Sequence, residues 1–231
     1  MVYNLLIWLI RAYKIDFCHV FFSRKEVGLD SIFKRIALTG GPGGGKSTLI
    51  SELLQDHFWS DQIVALPEAI SLMSGIGISL QERLFQRVMV SFQIALEDSL
   101  SNPLIDSSIN AFVCHRGSLD PLAYWLARGW LYADFFTFTK TNLEAHYRRY
   151  DAVIHLVTAA DGAIEHYSCW PESHRKEDVE DAVRLDGLLY EVWHNHPFYY
   201  RIDNQGLDWE AKSLGSRTIL SGLLRENKAR V

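Results

Sequence analysis

The chain has few cysteines, no long apolar run near its start and no marked excess of either charge, and each shortage removes a class of protein. Cys18, Cys114 and Cys169 are an odd count at unrelated spacings in 231 residues, so no disulfide framework is expected and a reducing, cytoplasmic compartment is the default. His166, Cys169 and His174 lie close together but match no established zinc spacing, and they read as polar residues of a loop. In the N-terminal segment, residues 1–33, the longest wholly apolar run is Leu5 to Ile10, far short of the ~18 residues that span a bilayer, and Arg11, Lys14 and Asp16 follow it. The segment also lacks the basic start and small-residue cleavage site of a secretory signal. Leu5, Trp8, Leu9 and Ala12 would share one face of a short helix that docks on the domain or a membrane surface; the other reading is an extension without specified structure. A formal net charge of −5, from 23 basic and 28 acidic residues, makes no electrostatic case for a nucleic-acid partner. It leaves room for a small anion held in a local pocket. There is no internal repeat, and 48% hydrophobic with 22% charged residues is the composition of one α/β domain with an appendage.

Glycine, by contrast, is concentrated. Gly40, Gly41, Pro42, Gly43, Gly44, Gly45, Lys46 and Ser47 fit G-x-x-x-x-G-K-[ST], the phosphate-cradling loop of P-loop nucleotide hydrolases and kinases. The flanks agree: Arg35 to Thr39 reads as a buried strand before the loop, and Leu49, Ile50, Leu53 and Leu54 repeat at helical spacing after it. Glycines let the main chain approach a ligand so that successive N–H groups face phosphate oxygens, and the following helix turns its positive end to the same place. The expected nucleotide-binding set is therefore Gly40 to Ser47 with Thr48. Lys46 would reach the β- and γ-phosphates and the Ser47 hydroxyl would ligate Mg²⁺. A dinucleotide motif starting at Gly41 would need glycine at position 46, where lysine stands.

Further along, Gln62 to Leu66 reads as a second buried strand closed by Pro67, which puts Glu68 at a strand's carboxyl end, where sites of parallel α/β sheets lie. Leu84, Phe85, Val88, Met89, Phe92 and Ala95 form a helical stripe, read as core and not as a ligand box. Ile109 to Cys114 is a third strand, His115 to Asp120 its carboxyl-end loop, and Pro121 suits the first turn of the next helix. Phe135 through Arg149 is predicted helical and Ala152 to Val157 a fourth strand. Residues 158–178 are too long for an ordinary connection and read as a lid. A helix over Asp178 to His194, a fifth strand over Phe198 to Ile202 and a helix from about Trp209 to Leu224 complete an alternation that predicts a three-layer α/β fold with a parallel sheet.

The region 34–224 resembles the kinase-like AAA domain of ribosylnicotinamide kinases of the NadR type, and is more distantly similar to thymidylate and deoxynucleoside kinases. The resemblance rests on Gly40 to Ser47, on Leu66-Pro67-Glu68-Ala69, on Arg116 through Tyr124 and on Tyr150 through Gly162; it does not extend to residues 1–33. It implies a P-loop NTPase fold with five parallel strands in the order 2-3-1-4-5, ATP on the loop, and an acceptor in the crevice beyond strands two and three. In such kinases a carboxylate in the place of Glu68 takes the acceptor's proton, an arginine like Arg116 steadies the reacting phosphate, and lid arginines close over it. Arg175 is the first choice for the last role, ahead of Lys176 and Arg184. Two plainer readings stay open: Glu68 as a helix-start carboxylate, and Arg116 as the partner of Asp120. The resemblance also implies an acidic residue where His115 stands. Neutral imidazole is a poor magnesium ligand, so either Asp120, Glu68 or water supplies the oxygen beside Ser47, or catalysis is weak.

These readings converge on an ATP-binding phosphotransferase acting with Mg²⁺ on a small, nucleoside-like acceptor, with Lys46, Glu68, Arg116 and Arg175 as its working set. The alternative is a nucleotide-binding switch or slow ATPase without acceptor chemistry. A weaker third is an attachment module with a vestigial loop, although neither a membrane nor a nucleic-acid partner is expected.

Overall fold

A computed structural model describes residues 33–73, 82–100, 109–167, 177–204 and 208–228. The apolar face proposed for 1–33, Arg175, Lys176, Cys169 and His174 lie outside them, apart from Phe33. Phe33 stands edge-on to Phe112, with ring centroids 4.6 Å apart.

Five strands, β1 (Lys34–Thr39), β2 (Ile63–Leu66), β3 (Ala111–His115), β4 (Ala152–Leu156) and β5 (Tyr199–Ile202), form one parallel sheet in the order β2-β3-β1-β4-β5, as expected. Side chains of successive strand residues leave opposite faces, so the apolar run Ile36-Ala37-Leu38 feeds two cores at once. Ile36, Leu38, Val113, Ile154 and Leu156 pack on one side with Leu49 and Leu53 of α1 (Lys46–Gln55), Trp59 of α2 (His57–Ser60) and Leu220 and Leu223 of α9 (Trp209–Lys228). On the other side Ala37, Phe112, Cys114 and Val153 meet Leu122 and Trp125 of α5 (Asp120–Ala127), Phe135 of α6 (Tyr132–Thr139) and Leu185, Leu189 and Trp193 of α8 (Val179–Trp193). The remaining helices are α3 (Ala69–Leu72), α4 (Arg83–Leu100) and α7 (Leu143–Tyr147). Phe85 and Met89 of the α4 stripe bury against Ala69 and Met73, a small core beneath the β2 exit. No helix of the described residues is long and apolar enough to cross a membrane.

The single helix predicted over Phe135 to Arg149 is two helices. Lys140 adopts left-handed angles (φ 57, ψ 43) that end α6, and the Asn142 side chain accepts from the N–H of Ala145 at 2.8 Å to start α7. Local hydrogen bonding at Thr139, Thr141 and Asn142 overrides the apolar periodicity that runs through them. His115, assigned to a loop by the sequence, is the last residue of β3 and pairs with Leu38. The described part of the 158–178 stretch holds a 3₁₀ turn at Ile164–His166 and the Asp178 cap of α8.

A buried ionic cluster carries this frame to the site. Glu97 of α4, with a fully buried side chain, accepts from Arg149 at 2.8 Å, from the Tyr150 hydroxyl at 2.6 Å and from Gln93 at 2.9 Å. These donors replace the water that the Glu97 side chain loses on burial. Gln93 also donates to the Arg116 carbonyl at 3.2 Å, which ties the loop after β3 to the α4 layer.

Candidate active site

The carboxyl ends of β1, β3 and β4 converge on the glycine-rich loop. Gly40 has φ 127, and a Cβ there would run into the Leu156 carbonyl oxygen, so β4 lies against the loop as only glycine permits. Gly45 (φ 90, ψ 8) turns the chain into α1, with the Trp209 ring where a side chain would stand. Lys46 is 5% exposed, and its ammonium donates to the carbonyls of Gly40 and Gly41, both at 2.7 Å. Burial, reinforced by the Arg116 guanidinium, brings it down to about 7. The Ser47 hydroxyl lies 3.0 Å from Nε2 of His115.

Glu68, at the N-cap of α3, makes no side-chain cap; its carboxylate turns to Arg116, whose Nε donates to Oε1 at 2.7 Å. The helix-start reading of Glu68 therefore describes its backbone and not its carboxylate. Burial would raise Glu68, but Arg116, His115 and Lys46 outweigh it and hold the carboxyl at about 2. Arg116 has left-handed φ (76), uncommon for a residue with a side chain, and this conformation sends the guanidinium back over the loop. There it reaches the Gly40 carbonyl and Asp120, each at 3.4 Å, and lies 5.5 Å from the Tyr124 ring centroid. The partnership with Asp120 is therefore present, and the contact with Glu68 is the shorter. Asp120 is 1% exposed and accepts from the Thr39 hydroxyl at 3.0 Å, from Trp193 Nε1 at 2.8 Å and from the N–H of Gly117 at 3.3 Å. Those donors already engage the carboxylate proposed from sequence as a metal ligand. Arg184, exposed on α8, donates to Asp181 and to the Ala127 carbonyl at 3.1 Å each.

Sequence reasoning missed Asp186. From α8 its Oδ1 accepts from the N–H of Gly41 at 2.6 Å, the N–H of Thr158 at 3.1 Å and His155 Nε2 at 3.1 Å, while the Thr158 hydroxyl donates to the Pro42 carbonyl. The Tyr199 hydroxyl stands 2.7 Å from the other nitrogen of His155, which completes a chain of contacts from the β5 edge to the loop. Burial favours the acid form of Asp186, but the hydrogen bonds from His155, Gly41 and Thr158 prevail and lower it. Asp186→Ala leaves two backbone donors and an imidazole without their acceptor, so it should lower stability on the order of 3 kcal/mol in urea unfolding, with Asp186→Asn milder. A loss under 0.5 kcal/mol for Asp186→Ala would remove Asp186 as the loop's clamp.

A model of an AAA domain matches residues 35–212, most of the chain. The chain belongs to this AAA-domain family. No curated protein matches it. Among solved structures, deoxyadenosine kinase from M. mycoides with the products dCMP and a flexible dCDP superposes with a TM-score of 0.55 at 17% identity, over 81% of this chain and 99% of that one. The same kinase with bound dATP gives 0.54 at 16% identity over the same shares. At such identities the likeness concerns the fold, and the AAA domain here has a kinase-like P-loop architecture in which the glycine loop, Glu68 and Arg116 sit at the strands' carboxyl ends.

Proposed function

We propose that this AAA domain binds ATP on Gly40 to Thr48 and transfers its γ-phosphoryl group to a hydroxyl of a small, nucleoside-like molecule. The observation that carries the reading is the Glu68–Arg116 pair at 2.7 Å, set at the ends of β2 and β3 with the guanidinium also reaching the loop carbonyl of Gly40. A carboxylate next to a cation within reach of the phosphate cradle supplies the two parts that transfer to a hydroxyl needs, a proton acceptor and charge neutralisation. At about 2, Glu68 is too weak a base while Arg116 holds it. The two roles are therefore linked: when Arg116 moves to the γ-phosphate oxygens, the Glu68 carboxyl rises toward its ordinary range. Glu68 then accepts the acceptor's proton as the new O–P bond forms, the bond from the γ-phosphorus to the bridging oxygen breaks, and ADP leaves. Lys46 exchanges the carbonyls of Gly40 and Gly41 for phosphate oxygens, and Arg175 would close from the lid.

A divalent cation accompanying ATP belongs at the Ser47 hydroxyl. Magnesium fits this place poorly, because the hydroxyl's neighbour is an imidazole and not an oxygen ligand. The same neighbour favours the second reading, a nucleotide-binding switch or slow ATPase. Thermal-shift titration with ATP and GTP, followed by a γ-phosphate-transfer screen over nucleosides and nucleotides, separates them. Transfer to an acceptor supports the kinase, nucleotide binding without transfer supports the switch, and absence of any shift sinks both.

A further inference from the structure

Three observations meet at His115. Its Nε2 lies 3.0 Å from the Ser47 hydroxyl. The residue is 7% exposed, and its Nδ1 is buried with no hydrogen-bond partner. That same Nδ1 stands 4.0 Å from the Glu68 carboxylate. A buried polar atom left unpaired in a folded domain calls for a reason. A neutral imidazole has one nitrogen that carries the proton and one that keeps a free lone pair.

The neighbours decide which nitrogen. The Glu68 carboxylate favours a proton on the Nδ1 that faces it, and Nε2 is then the acceptor, pointed at Ser47. Proteins orient a metal-binding imidazole through its second nitrogen, and here that nitrogen is turned toward a carboxylate at 4.0 Å while Nε2 is turned to the Ser47 hydroxyl. The spacing agrees as well. Two neighbouring ligands of an octahedral ion with bonds of ~2.1 Å are roughly 3.0 Å apart, the separation of Ser47 Oγ from His115 Nε2.

We propose that the divalent cation accompanying the nucleotide is bound through His115 Nε2 as well as Ser47 Oγ, and that the site therefore selects a first-row transition metal over magnesium. The proposal rests on the nucleotide-binding reading above, because two protein ligands make an incomplete shell that phosphate oxygens and water must fill. This also accounts for the lack of a three-residue metal cluster among the described residues. Imidazole is a borderline ligand, and affinity for it rises from manganese to cobalt, whereas magnesium keeps to oxygen.

The test uses the full chain, the non-hydrolysable β,γ-methylene analogue of ATP, and Mg²⁺, Mn²⁺ or Co²⁺ as probes. Calorimetry should find the analogue bound at least tenfold more tightly with Co²⁺ than with Mg²⁺. Pulsed electron paramagnetic resonance of the Mn²⁺ complex should show a coupled nitrogen. In His115→Asp the cobalt preference should shrink at least fivefold and the nitrogen signal should vanish. His115→Gln, which places no new charge beside Glu68, should do the same if the aspartate variant fails to fold. No nitrogen coupling in the unmodified protein, or an unchanged Co²⁺ to Mg²⁺ ratio in the variants, overturns the proposal while leaving nucleotide binding intact. Failure of the analogue to bind with any cation or with none overturns the nucleotide-binding reading itself, and this proposal with it.

Discussion

Lys46→Ala should abolish most ATP binding without unfolding the protein, and ATP affinity of the unchanged protein should fall as the pH rises above about 7. The lysine is 5% exposed and bonded to two carbonyls of its own loop, where desolvation has brought it down to about 7. A folded-state value below the ordinary one means that the unfolded chain binds more protons between about 7 and 10.5. Across that window Lys46 makes the free protein more stable as pH rises, so its burial does not hold the fold together at neutral pH. Phosphates reverse the balance, because a multiply charged anion against the amine favours the ammonium. Above pH 7 the free loop carries an increasing fraction of neutral amine, and binding must take up a proton. Affinity should then drop by up to about tenfold per pH unit. Isothermal titration in two buffers of different ionisation enthalpy measures the uptake directly: close to one proton at pH 8.5 in the unchanged protein and none assignable to this site in Lys46→Ala. Undiminished binding by the alanine variant would show that the loop does not hold the phosphates, and a flat affinity profile would show that the free lysine is already charged.

How far the site was legible follows from the range of its contacts. The strands could be read because a parallel strand between two helical layers is apolar on both faces, as Ile36-Ala37-Leu38 and Ala152 to Leu156 are. The loop could be read because its function needs glycine at consecutive positions and lysine and serine at its end. Arg116 with Asp120 was visible as a spacing of four residues. Its shorter contact, with Glu68, crosses 48 positions and leaves no local trace. Asp186 meets Gly41 across 145 positions, from a helix whose apolar stripe says nothing about the polar residue between its members. His115 was noticed for the residue type expected there, but its approach to Ser47 and its orphaned nitrogen depend on the β1–β3 register, in which it lies beside Leu38. The break at Lys140 was lost for a local reason, since side-chain hydrogen bonds at Thr139 and Asn142 compete with a periodicity that continues unbroken.

On a confirmed acceptor, Glu68→Gln should reduce turnover by roughly 10²-fold or more with ATP affinity little changed, the usual range for a lost general base. The substitution is informative because of what it keeps. Glutamine has the same length and a carbonyl oxygen, so it can still accept from Arg116 Nε, the contact now made at 2.7 Å. If Glu68 served only to hold the guanidinium, Glu68→Gln would leave turnover nearly intact. Combining it with Arg116→Ala distinguishes the roles further. A carboxylate that acts only through Arg116 adds no loss once the arginine is gone, whereas a proton acceptor in its own right adds most of its single-variant effect. Arg116→Ala alone should also raise the Glu68 carboxyl from about 2, because the guanidinium leads the charges that outweigh burial. The acid limb of the kcat/KM profile, which reports the free enzyme, should move up with it, since the base must be ionised to act. Initial rates of all three proteins over a pH series decide the matter: a fully active Glu68→Gln, or a double variant no slower than Arg116→Ala, would leave Glu68 a holder of the arginine and place the proton acceptor elsewhere.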